Sequence, residues 1–160
     1  MSFEAAEFRR ILGHMATGVA VVAATDPDRA GPSGLTANAI AAVSLDPPLV
    51  LACVDRAAET HDCILRADAF AISILGAEDE AIARRFAEYP SDRKFVGVAY
   101  GSEATGAPIL EEAMAWVDCR VWATYDGGDH TIFVGEVLAG DAADESPLLF
   151  FRGGFDRLAR

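Results

Sequence analysis

The sequence predicts a mainly β protein, an antiparallel barrel or sandwich with a few flanking helices. Short runs of β-branched and apolar residues recur along the chain, separated by turns rich in Gly, Pro and Asp. Helical segments are few and do not alternate with the strands as they would in βαβ units. The 160 residues, 52% hydrophobic and 24% charged, are typical of one globular domain, so we expect a single domain over residues 1–160.

Three segments have the apolar spacing of a helix. The first follows Ser2, a predicted N-cap, and we expect it to stop near Gly18. The other two are predicted at residues 60–66 and 78–86. The apolar positions are Phe8, Ile11, Leu12 and Met15 in the first helix, and the inward-facing Ile82 and Phe86 in the third.

Strands are predicted where apolar runs lie between turn signals. Asp26-Pro27-Asp28 and Gly31-Pro32 indicate a hairpin, and Asp46-Pro47-Pro48 is expected to stop pairing and force extended geometry. The glycines of Asp126-Gly127-Gly128-Asp129 can take positive φ and indicate a second, longer hairpin. The predicted strands are residues 19–25, a short strand after Pro32, 39–44, 49–54, 70–75, 117–125, 131–138 and, as the last one before Gly153-Gly154, 148–151.

Net charge argues against two classes of partner. The chain has 13 basic and 25 acidic residues, a formal net charge of -12, which disfavours nucleic acid and anionic membranes. Lys94 is the only lysine, so nearly all positive charge is arginine. We therefore expect a dinucleotide pocket in which a few arginines, Lys94 and backbone amides outweigh the repulsive field of the whole molecule.

The sequence predicts a soluble, cytoplasmic protein. The first residues lack the basic and apolar blocks of a secretory signal, and the internal apolar runs are short and interrupted. Cys53, Cys63 and Cys119 are odd in number and widely spaced, which predicts reduced, structural thiols. His14 and His61 have no metal-ligand spacing, so no metal site is expected.

Two motifs carry a family resemblance. Gly127-Gly128-Asp129-His130, followed by Gly135, resembles the glycine-aspartate-histidine signature of the short-chain flavin reductases. Gly34-Leu35-Thr36-Ala37-Asn38 resembles the flavin-contacting loop of the same family, and the order and spacing match over nearly the whole chain. The resemblance implies an FMN-binding split β-barrel with a Greek-key core that forms a homodimer across the flavin sites.

The resemblance also implies an activity. Members of the family transfer hydride from NADH or NADPH to FMN or FAD, and some supply reduced flavin to a separate monooxygenase. The two cofactors carry this chemistry, so a missing Ser-His-Asp grouping does not count against it. No dinucleotide fingerprint or P-loop occurs in the sequence. Two alternatives stay open: a pyridoxamine-phosphate-oxidase-like protein with fixed FMN, and a non-enzymatic flavin-binding or electron-transfer domain.

One expected flavin contact is the segment Thr36, Ala37, Asn38 and Ala39. A glycine and small side chains suit close approach of a flat ring, while Thr36 and Asn38 offer polar groups to its edge. The family resemblance assigns this segment to the ring and ribityl chain, with Ala39 where relatives often have serine. From residue types alone, a capped loop between strands explains the segment as well.

A second segment is expected at the flavin phosphate. It leads from a strand end into a predicted helix, whose first amides suit an anion. A plain N-cap at Thr60 and a solvated Arg56 are the alternative. By resemblance, the cofactor contacts expected here are Cys53, Asp55, Arg56, Ala57 and Thr60.

Further contacts are assigned by resemblance to a basic-aromatic pair and to the histidine hairpin. Lys94 and Phe95 match a family element that reaches the phosphate or ribityl oxygens and packs near the ring. His130 is the expected catalytic residue, placing the nicotinamide together with Asp129 and Gly128. Asp129 either orients the imidazole or satisfies turn amides.

The segment 150–155 resembles the family's C-terminal aromatic-arginine element near the active-site opening and the dimer contact. A buried final strand followed by a glycine turn is the alternative. The sequence does not choose between FMN and FAD or between NADH and NADPH, nor does it identify the partner oxygenase.

Overall fold

The computed structural model describes residues 2–29 and 31–159. Its helices are α1 (Ala5–Leu12), α2 (Glu59–Ala67) and α3 (Glu80–Glu88), with a 3-10 turn at Ser91–Arg93. Its strands are β1 (Thr17–Gly18), β2 (Ala20–Thr25), β3 (Pro32–Ala37), β4 (Ile40–Leu45), β5 (Pro48–Asp55), β6 (Ala69–Ile74), β7 (Tyr100–Gly101), β8 (Ile109–Leu110), β9 (Ala115–Gly127), β10 (His130–Ala142), β11 (Leu148–Phe151) and β12 (Gly154–Arg157).

Seven strands form one antiparallel sheet in the order β3-β2-β6-β9-β10-β5-β4. The two edge strands, β3 and β4, are joined by Asn38 and Ala39 alone, so the sheet must curl until its edges meet. The hydrogen bond from Cys53 N to Ala39 O (3.0 Å) extends the β4-β5 pairing by one residue toward this connection. On the other side of the connection, β3 lies against β5 without pairing to it, so the barrel is not closed. The prediction of a mainly β, split-barrel fold is thus confirmed.

Strand β2 lies between two hydrophobic cores because its side chains alternate between the two faces of the sheet. Val22 points into the barrel, where it packs with Phe70 and Phe133, while Val21 points to the other side, toward Phe86 of α3. All five side chains are fully buried. Burial of each stabilises the fold by about 1.5–3 kcal/mol relative to exposure.

Most predicted elements are present with small shifts at their ends. The hairpin β2-β3, the helices α2 and α3, and the strands β4, β5, β6 and β11 all form. The hairpin β9-β10 is longer than predicted and continues to residues 115 and 142, paired through two irregularities in register. Gly128, at the turn, has φ of +76°, as the predicted glycine hairpin requires.

The first helix differs from its prediction. It begins after Glu4 instead of Ser2 and ends at Gly13, well before Gly18. The Gly13 carbonyl accepts a hydrogen bond from Arg152 N (2.8 Å), so it is engaged with the C-terminal hairpin at the point where the helix stops. No residue of α1 is buried, and its apolar side chains are exposed.

Three turn predictions also need correction. Asp46-Pro47 separates β4 from β5 as predicted, but Pro48 does not stop pairing, because it pairs with Leu45 across a tight turn. Gly34-Leu35-Thr36-Ala37 is not a loop but the inner part of β3, paired with β2. Residues 148–151 are not the last strand, because the chain turns at Arg152 and Gly153 and pairs β12 with β11.

Gly135 shows why one glycine of the histidine motif is needed. It lies in β10 at a shift in register against β9. A Cβ atom at this position would stand 2.7 Å from Phe70 Cζ and from Cys119 Cβ, both inside the barrel core. The glycine therefore allows β10 to pass directly over Phe70.

No helix in the described ranges is long and apolar enough to cross a membrane.

Candidate functional site

A cavity of about 340 Å³ opens where the sheet edges meet. This volume lies at the lower end of the range for small-molecule sites, about 300–1,000 Å³. The cavity is lined by Leu35, Thr36, Ala37, Asn38, Ala39, Cys53, Asp55, Ala58, Phe86, Ala87, Lys94 and His130. Eight of the predicted site residues are thus brought together from four separate parts of the chain: Thr36, Ala37, Asn38, Ala39, Cys53, Asp55, Lys94 and His130.

Two polar side chains lie along the β3 wall of the cavity. One is hydrogen-bonded within the protein, and the other is available to a ligand. Thr36 Oγ1 donates to Ala83 O of α3 (2.6 Å), so its proton is used to hold α3 against β3. Asn38 is exposed, and its amide makes no hydrogen bond to any residue that the structure describes. Asn38 can therefore offer both a donor and an acceptor to a ligand.

Lys94 supplies positive charge to this cavity. Its Nζ donates to Gly34 O (3.0 Å), which holds the ammonium against β3. Burial lowers the pKa of Lys94, because the charged form loses hydration. Among the described residues lining the cavity, Lys94 is the only Lys or Arg. The expectation of several arginines in the pocket is therefore wrong.

The N-terminus of α2 reaches the cavity through Ala58. No side chain of the described chain caps this helix. Asp55 accepts hydrogen bonds from two nearby amides. Ala57 N donates to its side-chain Oδ1 (2.8 Å), and Ala58 N donates to its backbone carbonyl oxygen (3.1 Å). In the first turn, His61 N donates to Ala58 O (3.1 Å), whereas the amides of Glu59 and Thr60 have no acceptor among the described residues, so they suit an anion.

Two residues predicted at the phosphate are engaged elsewhere. Thr60 is buried, and its hydroxyl bonds Ser33 Oγ (2.8 Å), so it neither caps α2 nor lines the cavity. Arg56 points to the hairpin that carries His130 and bonds Asp126 Oδ1 (2.5 Å). Sequence spacing placed both beside the helix start but could not specify the direction of either side chain.

His130 begins β10 opposite Asp55 and lines the cavity. Its Nδ1 lies 2.7 Å from Asp129 Oδ1, and this hydrogen bond lowers the pKa of Asp129. Because an ionised carboxylate can only accept, Nδ1 donates and Nε2 is left for other partners. Asp129 therefore orients the imidazole, while Asp126 accepts the turn amide of Gly128 (3.3 Å). Neither Asp129 nor Gly128 lines the cavity itself.

Phe95 lies behind the cavity instead of lining it. Its ring packs edge-on against Phe86, with centroids 4.9 Å apart, and against Tyr100 at 5.2 Å. A Cβ at Gly34 would stand 3.1–3.2 Å from the rings of Phe86 and Phe95. Gly34 thus lets this aromatic cluster approach β3. Phe86 was predicted to be a core residue. Its position in the cavity wall, next to Ala87, was not predicted.

The C-terminal aromatic segment forms a hairpin, not part of the cavity. Phe150 and Phe155 face each other across β11 and β12, with ring centroids 5.7 Å apart, and both pack against the second core. Arg152 sits in the turn between the strands with φ of +50°. His61 is also structural, since it is buried and bonded to Thr131 Oγ1 (2.8 Å).

Comparison with known proteins agrees with this geometry. Residues 12–159 match the family described as Flavin reductase like domain. FMN reductase (NADH) SmoA of Agrobacterium fabrum is 41% identical over 153 residues, which cover 96% of this chain and 86% of that protein. The reductase component of 4-nitrophenol 4-monooxygenase/4-nitrocatechol 2-monooxygenase of Rhodococcus opacus is 40% identical over 150 residues, covering 94% and 79%.

Solved structures show the same fold. NADH:FAD oxidoreductase SgcE6 of Streptomyces globisporus superposes with a TM-score of 0.93 at 38% identity, covering 100% of this chain and 96% of that chain. A complex of that oxidoreductase with NAD and FAD fragments gives a TM-score of 0.89 at 40% identity, covering 96% and 92%. The protein is therefore a split-barrel flavoprotein by class. Within that class, it belongs to the flavin reductase-like domain family.

Alkylation of Cys53 provides a test of the cavity. Cys63 and Cys119 are buried and Cys53 is half-buried in the cavity wall, so iodoacetamide should modify Cys53 first. Burial raises the pKa of Cys53, so labelling should still accelerate as the pH rises past 9.0. Burial raises the pKa of Cys63 to about 11 and that of Cys119 to about 12.

Saturating FMN should protect Cys53, as measured by peptide mass spectrometry. Cys53→Ala is the control and should remove the fast label. Equal labelling with and without bound FMN would contradict the placement of flavin in this cavity.

Proposed function

We propose that this chain is an NAD(P)H-dependent flavin reductase, an oxidoreductase that supplies reduced FMN or FAD to a partner monooxygenase. The observation that carries the proposal is one cavity lined by Lys94, by the N-terminus of α2 at Ala58 and by His130. We assign Lys94 and the first turn of α2 to the phosphate end of the flavin, and His130 to the nicotinamide. When bound, the flavin accepts a hydride, two electrons and a proton, from the reduced nicotinamide.

The residues present fit a flavin. Backbone of β3 and the small side chains of Ala37 and Ala39 leave room for a flat ring, while the free amide of Asn38 can pair with its polar edge. At the other end, Lys94 and the uncapped α2 amides suit the phosphate. Relatives are named for FMN and for FAD, and we propose FMN as the smaller flavin that this cavity accepts.

His130 is proposed to place the nicotinamide. Asp129 holds Nδ1, so Nε2 is the ring nitrogen available to the carboxamide, and the flat imidazole offers a stacking surface. No side chain has to donate or remove a proton for the hydride to move, so orientation is the main contribution of the protein. NADH is the proposed donor, since the relatives are named as NADH enzymes.

We propose that residues 1–160 work as one domain in the cytoplasm, paired with a separate oxygenase component. Three free thiols agree with a reducing compartment, which also holds the nicotinamide donor. The Rhodococcus opacus relative is named as the reductase component of a monooxygenase. The substrate of a partner oxygenase leaves no trace in this chain.

A homodimer is also proposed. The edge strand β4 is apolar and unprotected, with Val43 48% and Leu45 96% exposed. An exposed, apolar sheet edge in a water-soluble protein is normally covered by another chain. Because β4 directly follows Asn38 and Ala39, a partner on this edge would also border the cavity.

Replacement of His130 tests the function. His130→Ala should lower kcat/KM for NADH roughly tenfold or more, because the nicotinamide loses its placement. The Kd for FMN, measured by fluorescence titration, should change by less than about twofold, since the phosphate end is intact. His14→Ala is the matched control, an exposed histidine outside the cavity. Unchanged steady-state kinetics in His130→Ala would count against the proposed function.

Replacement of Lys94 tests the phosphate end. Lys94→Gln should raise the Kd for FMN by about 10- to 100-fold, because a charge-assisted hydrogen bond to the phosphate is lost. The Kd for riboflavin, which has no phosphate, should rise far less. Arg93→Gln, which removes the neighbouring exposed cation, should leave both affinities unchanged.

The pH dependence has a definite sign. Burial lowers the pKa of Lys94 below its ordinary 10.5, and a phosphate favours the charged form. FMN affinity should therefore fall as the pH rises through the Lys94 pKa, while riboflavin affinity stays level. Parallel losses for the two flavins would contradict the phosphate contact.

Light scattering tests the dimer. Wild-type protein should have twice the 16.9 kDa chain mass, and Leu45→Asp should shift it toward the monomer because a buried carboxylate disfavours association. Leu65→Asp is the control on α2, where an exposed leucine lies away from β4. A monomeric wild type at micromolar concentration would refute the homodimer.

A further inference from the structure

Arg56 makes three polar contacts with the turn that carries His130. Its backbone N donates to Asp129 O (3.0 Å), its Nε to His130 O (3.3 Å) and its Nη2 to Asp126 Oδ1 (2.5 Å). These contacts span both ends of the β9-β10 turn. Arg56 lies one residue beyond β5, where strand pairing with β10 has just ended at Asp55 and His130.

Strand pairing holds the chain as far as Gly127 and His130, but the two turn residues between them lie outside the ladder. Gly127 and Gly128 are adjacent, and Gly128 takes positive φ, so the backbone here has wide conformational freedom. Asp126 and Asp129 are largely exposed, with side chains 83% and 91% accessible. No apolar side chain of the turn anchors it to a core, so its direction depends on polar contacts.

We propose that Arg56, paired with Asp126, is a positioning residue for His130 and thereby sets how well the site binds the nicotinamide. This inference rests on the proposed function and assigns Arg56 a role different from the predicted phosphate contact. The guanidinium already has two acceptors in the turn, and Arg56 is absent from the cavity lining. Its charge is directed at Asp126.

The pair is suited to positioning more than to stability. The Arg56 side chain is 47% exposed, so the ion pair is solvated and contributes little to the free energy of folding. The imidazole is oriented by the Asp129 carboxylate. Arg56 holds the backbone on which both groups stand, through the carbonyl oxygens of Asp129 and His130. Loss of the pair should therefore leave the barrel folded and disturb the placement of the nicotinamide.

A double-mutant cycle tests the proposal. Arg56→Gln and Asp126→Asn should each raise KM for NADH about two- to fivefold at saturating FMN, the size expected for an exposed charge pair. The double variant should be no worse than Arg56→Gln alone, because Asp126→Asn removes a contact that Arg56→Gln has already removed. The ratio of FMN to riboflavin affinity should stay at its wild-type value in all three variants.

Hydrogen exchange supplies a readout that needs no activity. Amides of residues 126–131 should exchange faster in all three variants than in the wild type, while those of β2 and β6 stay protected. Arg157→Gln is the matched control, since Arg157 pairs with Glu78 at similar exposure, 57% and 81%, outside this turn. It should change neither KM nor exchange at residues 126–131.

Three results would overturn the proposal. Arg56→Gln could lower the affinity for FMN more than that for riboflavin while Asp126→Asn does not. That result would show that Arg56 is a phosphate ligand. Additive effects of the two substitutions on KM would show that the residues act separately. Unchanged exchange at residues 126–131 would show that Arg56 does not hold the turn. If the wild type oxidised neither NADH nor NADPH, the proposed function would fail, and exchange would still decide the role of Arg56.

Discussion

The short connection between β3 and β4 is the constraint on which the site depends. These strands are opposite edges of a seven-stranded sheet, yet Asn38 and Ala39 alone join them. Two residues span at most about 11 Å between the flanking Cα atoms, so the sheet must curl until its edges meet. The curl brings β3 against β5, and the cavity that opens there is lined by residues of both strands. The short connection between β3 and β4 therefore accounts for both the curl of the barrel and the position of the cavity.

The electrostatics of the site are local because the molecule as a whole is acidic. With a net charge of -12, long-range attraction of a dinucleotide is absent, and binding has to rely on contacts within the cavity. Lys94 and the open N-terminus of α2 provide them, while arginines such as Arg56 and Arg29 are paired with carboxylates elsewhere. The balance favours a ligand with one compact anionic group over one that presents negative charge over a wide surface.

Patterns along the chain predicted the elements well because they report local physics. Runs of apolar and β-branched residues located β2, β5 and β6, and the paired glycines located the long hairpin, since both depend on burial and backbone freedom at the residues themselves. The strands β1, β7 and β8 were not predicted because two residues carry too little pattern, and β12 was not predicted because it has a single large apolar side chain, Phe155. The extent of α1 was wrong because its end is set by a contact with Arg152, far along the chain.

The sequence by itself determined the fold class, the family and the two motifs that line the cavity at residues 36–39 and 130. Only the tertiary structure decided the direction of each polar side chain. The Thr60 hydroxyl bonds Ser33, and the Arg56 guanidinium bonds the hairpin that carries His130. Phe86 of α3 lies in the cavity wall. The physical reason is that periodicity shows which face of an element is buried, whereas the partner of a polar group depends on which elements the sheet order brings together.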